Sequence, residues 1–294
     1  MQSYARLSPG PGFRPMRAAF YYSQRLVTRP RLRRGVAACL AAAQSLRAGR
    51  GQPDAADAAT LAALHRDGIA PLRPLLPPAA LREVMDWLAP RPVQGPDGPV
   101  PLAALPEGTA SAAYALDAVL ACPHLLDLAN HPAVLALAEA YLGCRPTLSS
   151  IGLRWSLPRP HRCDDVQHFH RDPDDWRFLK LFLYLTDVDA RNGPHIYVHG
   201  SHRRGGRVRA RPYAAAEAAR FGAVTPVFGP AGTCFVADTW GIHAGAVPLD
   251  RPRLLLQAQY SVLPVFAFDY APRPVQPARP LDPWVNRLLV APVN

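Results

Sequence analysis

A series of short apolar runs between residues 151 and 263 decides the fold of this chain. They are IGLRWSL (151–157), FLKLFLYLTDV (178–188), HIYVHG (195–200), VTPVFG (224–229), TCFVAD (233–238) and RLLLQAQYSVL (253–263). Most of them lie between Gly, Pro, Asn or Asp residues, which is typical of β-strands that end in turns. Several such strands at short spacing predict a sandwich or a jelly roll.

The segment that precedes these strands has helical patterns instead. One helix is expected after Asp54, a second after Pro77-Pro78, and a third over PAVLALAEAYL (132–142), which stops at a glycine. The expected class is therefore mainly β with flanking helices. Its core is a double-stranded β-helix, that is, a jelly roll with an N-terminal helical layer.

The expected domain organisation follows from these patterns. Residues 1–50 form a basic N-terminal extension that is partly helical, with the helix over Val36–Leu46. Residues 51–294 form a single domain. Its parts are a helical layer at about 54–143, a jelly-roll core at about 145–270 and a proline-rich C-terminal wrap at 271–294.

The charge of the chain is concentrated at its start. The net charge is +11, but residues 1–50 hold ten arginines and no acidic residue, which leaves 23 basic and 22 acidic residues in the rest of the chain. A nucleic-acid-binding domain would carry its basic patch on the folded body, so nucleic acid is not an expected partner. The basic segment is open to three interpretations: a transit peptide, a contact with an acidic partner or an anionic membrane surface, or a solvated extension.

Two further features bear on the protein class. No apolar run reaches the roughly 18 residues of a membrane span, so no transmembrane segment is expected. The five cysteines are scattered and contain no C-x-x-C pair. Neither a disulfide framework nor a zinc-thiolate site is indicated, and a reducing, cytoplasmic setting fits best.

Seven of the ten histidines lie between His161 and His243, in the region that contains the predicted strands. The motif HFHRD (168–172) supplies His170 and Asp172, and His243 follows the strand TCFVAD. Two imidazole nitrogens and one carboxylate on one face of an ion make up the facial triad of non-haem Fe(II) oxygenases. H-x-D alone is a weak signal, but an arginine ten residues after His243, Arg253, strengthens it. A guanidinium pairs with a carboxylate, so a keto acid cosubstrate is indicated.

From about residue 56 to 270 the chain resembles the phytanoyl-CoA dioxygenase family of Fe(II)/2-oxoglutarate oxygenases. The resemblance rests on HRD (170–172), LKLFLYLTDVDARNGPHIYVHGSHR (179–203), GTCFVADTWGIHAG (232–245) and the arginine of RPRLLLQAQY (251–260). The NGP and GSHR turns at these spacings are far more specific than H-x-D.

The resemblance implies a set of cofactors and residue roles. His170, Asp172 and His243 would ligate Fe(II), and Arg253 would bind the distal carboxylate of 2-oxoglutarate, with Arg251 as the alternative. O₂ is the other cosubstrate, and succinate and CO₂ are the co-products. Related halogenases replace the carboxylate of the triad, so Asp172 favours hydroxylation or a related oxidation.

Other residues carry two interpretations each. Lys180, the only lysine, either binds 2-oxoglutarate or lies at the surface. Arg154 and Trp155 either line the cosubstrate pocket or pack in the barrel, and His195 and His199 either face substrate or have a backbone partner.

Candidate substrate-binding residues are named on chemistry alone. They are the aromatic residues Trp176, Tyr197 and Trp240, each equally compatible with core packing, and Arg203 and Arg204 of the run RRGGRVRAR (203–211). That run either grips an anionic group or is a solvated loop. The expected substrate is a small organic molecule, and whether it is anionic or bound to a carrier stays open.

Two other function classes compete with an oxygenase. One is a catalytically silent jelly-roll binding protein. The other is a cupin-type metalloenzyme that needs no 2-oxoglutarate and uses His168, His170, Asp174 and His243. Cupins favour a glutamate at the third place, and none occurs between Glu139 and Glu217.

Overall fold

The computed structural model describes residues 4–49, 56–158, 168–205 and 212–291. Within them the helices are α1 (Pro15–Leu26), α2 (Pro30–Ala48), α3 (Ala58–Asp67), α4 (Pro78–Leu88), α5 (Leu116–Ala121), α6 (Leu125–Ala129), α7 (Pro132–Leu142), α8 (Ala215–Ala219) and α9 (Pro283–Asn286). The strands are β1 (Ile69–Leu72), β2 (Val93–Gly95), β3 (Gly98–Val100), β4 (Ser111–Tyr114), β5 (Thr147–Ser156), β6 (Phe178–Tyr184), β7 (His195–Val198), β8 (Val224–Val227), β9 (Cys234–Ala237), β10 (His243–Gly245), β11 (Arg253–Ser261), β12 (Arg273–Pro274) and β13 (Val290–Ala291).

Two antiparallel sheets form the β core. The larger has the strand order β1-β9-β6-β11-β5-β4-β2-β3, and the smaller has the order β10-β7-β8. The sheets face each other, since the ring centroid of Phe182 on β6 lies 4.8 Å from that of His195 on β7. The predicted class, mainly β with a jelly-roll core and flanking helices, is confirmed.

The central strand β6 shows how the sequence separates core from cavity. Every residue of FLKLFLY is buried, as expected for a strand that is covered on both faces. Leu179, Leu181 and Leu183 join the main core cluster, which includes residues of α3 and α7. Because side chains alternate along a strand, Lys180 and Phe182 point to the other face, toward the smaller sheet. This alternation places polar groups inside an otherwise apolar barrel.

The region predicted as a helical layer, at about 54–143, differs from the expectation in one respect. It supplies α3 to α7, but it also adds β1 to β4 to the larger sheet. These strands are three or four residues long and contain Pro71, Gly95 and Gly98. Strands this short show no measurable hydrophobic period in the sequence. Pairing with neighbouring strands stabilises them, as β1 pairs with β9 and β4 with β5.

The described part of residues 1–50 contacts the rest of the protein. Helix α2 contains the helix expected over 36–46, and α1 precedes it. Arg17 donates hydrogen bonds to the backbone oxygens of Phe266 (2.7 Å) and Phe268 (2.5 Å). Gln44 donates to that of Val262 at 3.0 Å. No helix in the described ranges is both long and apolar enough to cross a membrane.

Arg33 is the most buried arginine of α2 and the basis of a stability prediction. It is 5% exposed, donates to the backbone oxygens of Gln24 and Asp175, and lies 3.6 Å from the ring centroid of Trp240. Arg33→Met should lower the free energy of unfolding by about 2 kcal/mol, because two buried carbonyls lose their donor. The neighbouring Arg34 is exposed, so Arg34→Met should change it by less than about 0.5 kcal/mol. Urea denaturation measures both values, and equal effects would contradict the docking of α2.

Asp175 makes the stability depend on pH. Burial raises the pKa of this carboxyl from its ordinary value of 3.8 to about 7, although backbone N–H groups and the Arg33 charge oppose the increase. The folded protein then binds more protons than the unfolded chain between these two values. The contribution to stability is therefore full at low pH, decreases as the pH rises from about 4 through about 7, and stays low above that range.

Asp175→Asn removes this ionisation and keeps an oxygen to accept from the Leu263 N–H, which lies 2.9 Å away. The free energy of unfolding of the variant, relative to that of the unmodified protein, should therefore increase between about pH 5 and about pH 8. Urea denaturation at both pH values tests this. A pH-independent difference would mean that Asp175 has the same pKa in both states.

Candidate metal and cosubstrate site

The backbone brings the H-x-D motif and His243 together. His170 and His243 form an isolated antiparallel bridge with N–O distances of 2.9 and 3.0 Å, and the Asp172 N–H donates to the Thr239 oxygen at 2.9 Å. Arg171 lies between the two motif residues, and its buried guanidinium donates to the Trp240 backbone oxygen at 2.7 Å. The two loops are thus fixed against each other by backbone contacts, and the side chains at 170, 172 and 243 converge.

The converging side chains form a compact donor set. Ligand atoms of His170, Asp172 and His243 all lie within 4.8 Å of one another. Each Nε2 lies 3.4 Å from an Asp172 carboxylate oxygen, Oδ1 for His170 and Oδ2 for His243. A metal ion with ligands at about 2 Å fits between donors at such separations. Neither His168 nor Asp174 belongs to the cluster found among the described residues.

Backbone carbonyls determine which nitrogen of each imidazole faces the cluster. Nδ1 of His170 lies 2.7 Å from the His168 oxygen, and Nδ1 of His243 lies 2.9 Å from the Gly241 oxygen. A carbonyl only accepts, so both Nδ1 atoms carry the proton. In the neutral ring Nε2 then holds the lone pair, and it points toward Asp172. Metal-binding histidines are oriented in the same way.

Lys180 contacts the cluster from β6. Its Nζ lies 2.7 Å from Asp172 Oδ2 and 3.3 Å from Asp174 Oδ2. Its ammonium group is thus paired with two carboxylates. The pairing fixes the position of Asp172 and compensates its buried charge.

The electrostatics of the cluster follow from burial and these pairs. Burial, and then the nearby His170, lower the pKa of His243 to about 3, so His243 is neutral. Burial alone would raise the pKa of Asp172, but Lys180, followed by His243 and His170, holds it well below its usual range. The opposite holds for Asp174, whose pKa is raised by burial and by Asp172. The cluster thus offers a carboxylate and a neutral imidazole at neutral pH.

The cluster lines a cavity of about 170 Å³ between the two sheets. Lys180, Phe182 and Arg253 of the larger sheet and His195 and Gly245 of the smaller one contribute to its wall. The cavity thus lies inside the barrel, enclosed on both sides by sheet.

Arg253 provides the second functional group of this cavity. It is 4% exposed, and its guanidinium donates to the Gly193 backbone oxygen and to Ser156 Oγ, the latter at 3.1 Å. Gly193 has φ = +76°, which suits glycine and exposes its carbonyl to Arg253. The Nε–H has no hydrogen-bond partner, and no carboxylate pairs with Arg253 in the part of the chain described. A buried guanidinium without a counter-ion has the charge and the N–H donors that an anionic group would need.

The structure brings some of the other predicted residues to this cavity and not others. Arg154 of β5 lines it. Trp155, the next residue, packs in the main core and donates to the Tyr114 hydroxyl at 3.2 Å, because adjacent side chains of a strand point to opposite faces. Arg251 is exposed and pairs with Asp189.

The predicted substrate-binding residues lie elsewhere. Trp176, Trp240 and Arg203 line a separate cavity of about 110 Å³ beneath α2. The Tyr197 hydroxyl donates to the Asp238 backbone oxygen at 2.7 Å inside the core, and Arg204 is exposed. Residues 206–211 of the arginine-rich run lie outside the described residues.

Sequence reasoning gave no role to three polar residues of the cavity wall. They are Ser111, Ser156 and Gln257. Ser111, Ser156 and Gln257 are on strands whose register across the sheet cannot be read from one sequence. His195 was expected either to face substrate or to have a backbone partner, and it lines the cavity.

The comparisons with known proteins agree with this geometry. The sequence profile described as "Phytanoyl-CoA dioxygenase (PhyH)" matches residues 64–247. No curated protein matches the chain.

Solved structures share the fold at low sequence identity. EctD from S. alaskensis with bound Fe is 18% identical, with a TM-score of 0.56 over 83% of this chain and 91% of EctD. The epimerase SnoN in complex with Fe3+, alpha ketoglutarate and nogalamycin RO is 23% identical, with a TM-score of 0.52 over 76% and 93%. HygX from Streptomyces hygroscopicus with nickel and 2-oxoglutarate bound is 16% identical, with a TM-score of 0.51 over 70% and 87%. The profile match spans more than half of the chain, and the chain belongs to the phytanoyl-CoA dioxygenase family.

Proposed function

We propose that this protein is an Fe(II)- and 2-oxoglutarate-dependent dioxygenase that hydroxylates or otherwise oxidises a small organic molecule. The observation that carries the proposal is the unpaired, buried guanidinium of Arg253 in the same cavity as the donor set of His170, Asp172 and His243. A metal site alone would fit many activities. A metal site together with an anion receptor in one cavity fits a keto acid that binds both.

The residues fit the proposed cofactors. Two imidazole nitrogens and one carboxylate oxygen match the ligands that Fe(II) takes in facial-triad sites and leave the remaining positions open. Both Nε2 atoms are turned toward the cluster, and in the neutral ring each would offer its lone pair to the ion. When bound, iron and 2-oxoglutarate would supply the oxidising chemistry, in which O₂ and the keto acid are converted with substrate R–H into R–OH, succinate and CO₂.

The protein's own residues have distinct tasks in this proposal. His170, Asp172 and His243 hold the ion. Lys180 keeps Asp172 ionised and in position, and Arg253 binds the distal carboxylate of the keto acid. The two sheets flank the cavity, and the low dielectric of the protein interior strengthens each of these electrostatic contacts.

The alternatives have less support. A cupin-type site would need His168 and Asp174, and neither joins the cluster. A silent binding protein has no use for a metal donor set beside an unpaired arginine. Proteins of the same fold were crystallised with Fe, with Fe3+ and alpha ketoglutarate, or with nickel and 2-oxoglutarate. These ligands agree with the proposal.

The finer expectations are part of the proposal as well. We propose a small-molecule substrate and a cytoplasmic setting, which the free thiols of Cys39, Cys122, Cys144 and Cys234 fit. Residues 51–294 are proposed as the oxygenase domain. The exposed Arg203 and Arg204 are proposed as contacts for an anionic or carrier-bound substrate, and the basic N-terminal segment as a contact for an acidic partner or a membrane surface.

Succinate formation tests the proposed activity. Purified protein with Fe(II), 2-oxoglutarate, O₂ and a library of small molecules should form succinate, and at least one library member should accelerate this. Protein that carries His170→Ala should form none. If the unmodified protein forms no succinate with any candidate while iron and 2-oxoglutarate are bound, the proposed reaction is wrong.

A further inference from the structure

His195 has an unusual environment on the wall of the metal cavity. It is 4% exposed, and its ring centroid lies 4.8 Å from that of Phe182, 5.3 Å from Phe235 and 5.5 Å from His243. The backbone of β7 fixes His195 in place, since its backbone N–H donates to the Tyr184 hydroxyl at 3.0 Å. The imidazole therefore belongs to a packed aromatic cluster that reaches the metal cavity.

The polar edge of this ring is unsatisfied. Its Nε2 is buried and has no hydrogen-bond partner in the described parts of the protein. A buried ring nitrogen without a partner is unfavourable, and the large majority of buried polar side-chain atoms in proteins do have one. An apolar side chain would fill the same space among Phe182 and Phe235 without this cost. The imidazole is therefore expected to have a ligand as its partner.

The surroundings identify the chemistry of that ligand. Arg253 lines the same cavity and also has an unpartnered N–H, at Nε. Its guanidinium donates a hydrogen bond to the backbone oxygen of Gly193, two residues before His195. On the other side the ring stacks on His243, a member of the metal donor set, at an interplanar angle of 23°. A molecule that extends from the donor set to Arg253 therefore lies in a cavity whose wall includes His195. An imidazole carries at least one N–H in either protonation state, and the acceptor that suits it is a carboxylate.

We propose that His195 is a further cosubstrate-binding residue, which donates a hydrogen bond to a carboxylate oxygen of bound 2-oxoglutarate. The inference rests on the proposed function and goes beyond it, because it adds the imidazole of His195 as a hydrogen-bond donor beside the guanidinium of Arg253. His195 acts in binding and positioning, and it takes no part in holding the metal.

An isosteric pair of variants tests the inference by binding and not by turnover. His195→Met and His195→Gln have similar length, but only glutamine has an N–H donor. Isothermal titration of 2-oxoglutarate into Ni(II)-loaded protein measures the dissociation constant. We expect an increase of about ten-fold or more for His195→Met and less than about three-fold for His195→Gln, since only methionine loses the hydrogen bond to a charged group. Ni(II) affinity should stay within about two-fold for both, since His195 offers no ligand to the metal.

A control variant and a stability measurement complete the test. His199→Leu changes a histidine outside the cavity, whose Nδ1 lies 3.9 Å from Asp67, and should leave 2-oxoglutarate affinity unchanged. Without ligand, His195→Met should melt at the same temperature as the unmodified protein or higher, because Nε2 makes no hydrogen bond there.

The outcomes separate the two proposals. If the unmodified protein fails to bind 2-oxoglutarate, the proposed function is wrong, and the role of His195 is overturned with it. A second outcome is that the unmodified protein binds 2-oxoglutarate while both variants bind it as tightly as the unmodified protein, or while both lose affinity to the same extent. In either case the His195 inference is wrong and the proposed function stands. A parallel loss of Ni(II) affinity would also overturn it, because His195 would then support the metal site by packing.

Discussion

Replacing His243 with alanine should lower the affinity of the protein for Fe(II) or Ni(II) by more than about 100-fold. Loss of a residue that only hydrogen-bonds to a metal ligand typically lowers the affinity by roughly 10- to 100-fold, and His243 is itself a ligand in this proposal. Only His170 and Asp172 of the donor set remain, and Nε2 of His243 is the donor that faces Asp172 Oδ2 at 3.4 Å. Equilibrium dialysis followed by metal analysis measures the change.

The fold of the variant should survive, because the bridge between positions 170 and 243 is formed by backbone atoms that alanine keeps. The melting temperature of the ligand-free protein should therefore change little. His199→Ala is the matched control, and its metal affinity should equal that of the unmodified protein. Equal metal affinity in His243→Ala and His199→Ala would show that the ion binds elsewhere.

Arg253→Met should affect cosubstrate binding strongly and stability only weakly. The dissociation constant of 2-oxoglutarate should increase by about two orders of magnitude, because a buried charge pair loses one partner. The ligand-free protein should change little in stability, because removal of a buried cation without a carboxylate partner is favourable, while the Gly193 oxygen and Ser156 Oγ lose their donor. Titration calorimetry with Ni(II)-loaded protein measures the first effect, and urea denaturation without ligand the second.

The neighbouring Arg251 supplies the control. It is exposed and pairs with Asp189 and Asp250, so Arg251→Met should alter neither 2-oxoglutarate binding nor, by more than about 0.5 kcal/mol, the free energy of unfolding. Should Arg251→Met weaken binding and Arg253→Met leave it intact, the roles of the two arginines would be reversed. A loss of stability in ligand-free Arg253→Met would indicate that the guanidinium is structural.

Much of this architecture can be predicted from the sequence because its determinants are local. The apolar runs that became β5, β6 and β11 are buried strands, and turn residues mark where they end. The H-x-D motif is a contiguous signal, and Arg253 lies at the start of a strand that the apolar pattern already indicates. These features need no knowledge of which strands are neighbours.

Other features depend on long-range pairing and escape prediction. The sequence gives no sign that Trp155 faces the core while Arg154 faces the cavity, because the choice depends on the register of β5 with β11. Likewise, Trp176 shortly follows Asp172 and Trp240 shortly precedes His243 in sequence, but both pack beneath α2, where Arg33 lies over both rings. Short strands such as β1 and β4 form only because a neighbour stabilises them.

The most direct test of the proposed function is an anaerobic titration of Fe(II)-loaded protein with 2-oxoglutarate, followed by visible spectroscopy. The proposal predicts a metal-to-ligand charge-transfer band in the unmodified protein, a much higher 2-oxoglutarate requirement in Arg253→Met, and no band in Asp172→Ala. Iron binding without any band would contradict it, because the keto acid would then not chelate the metal.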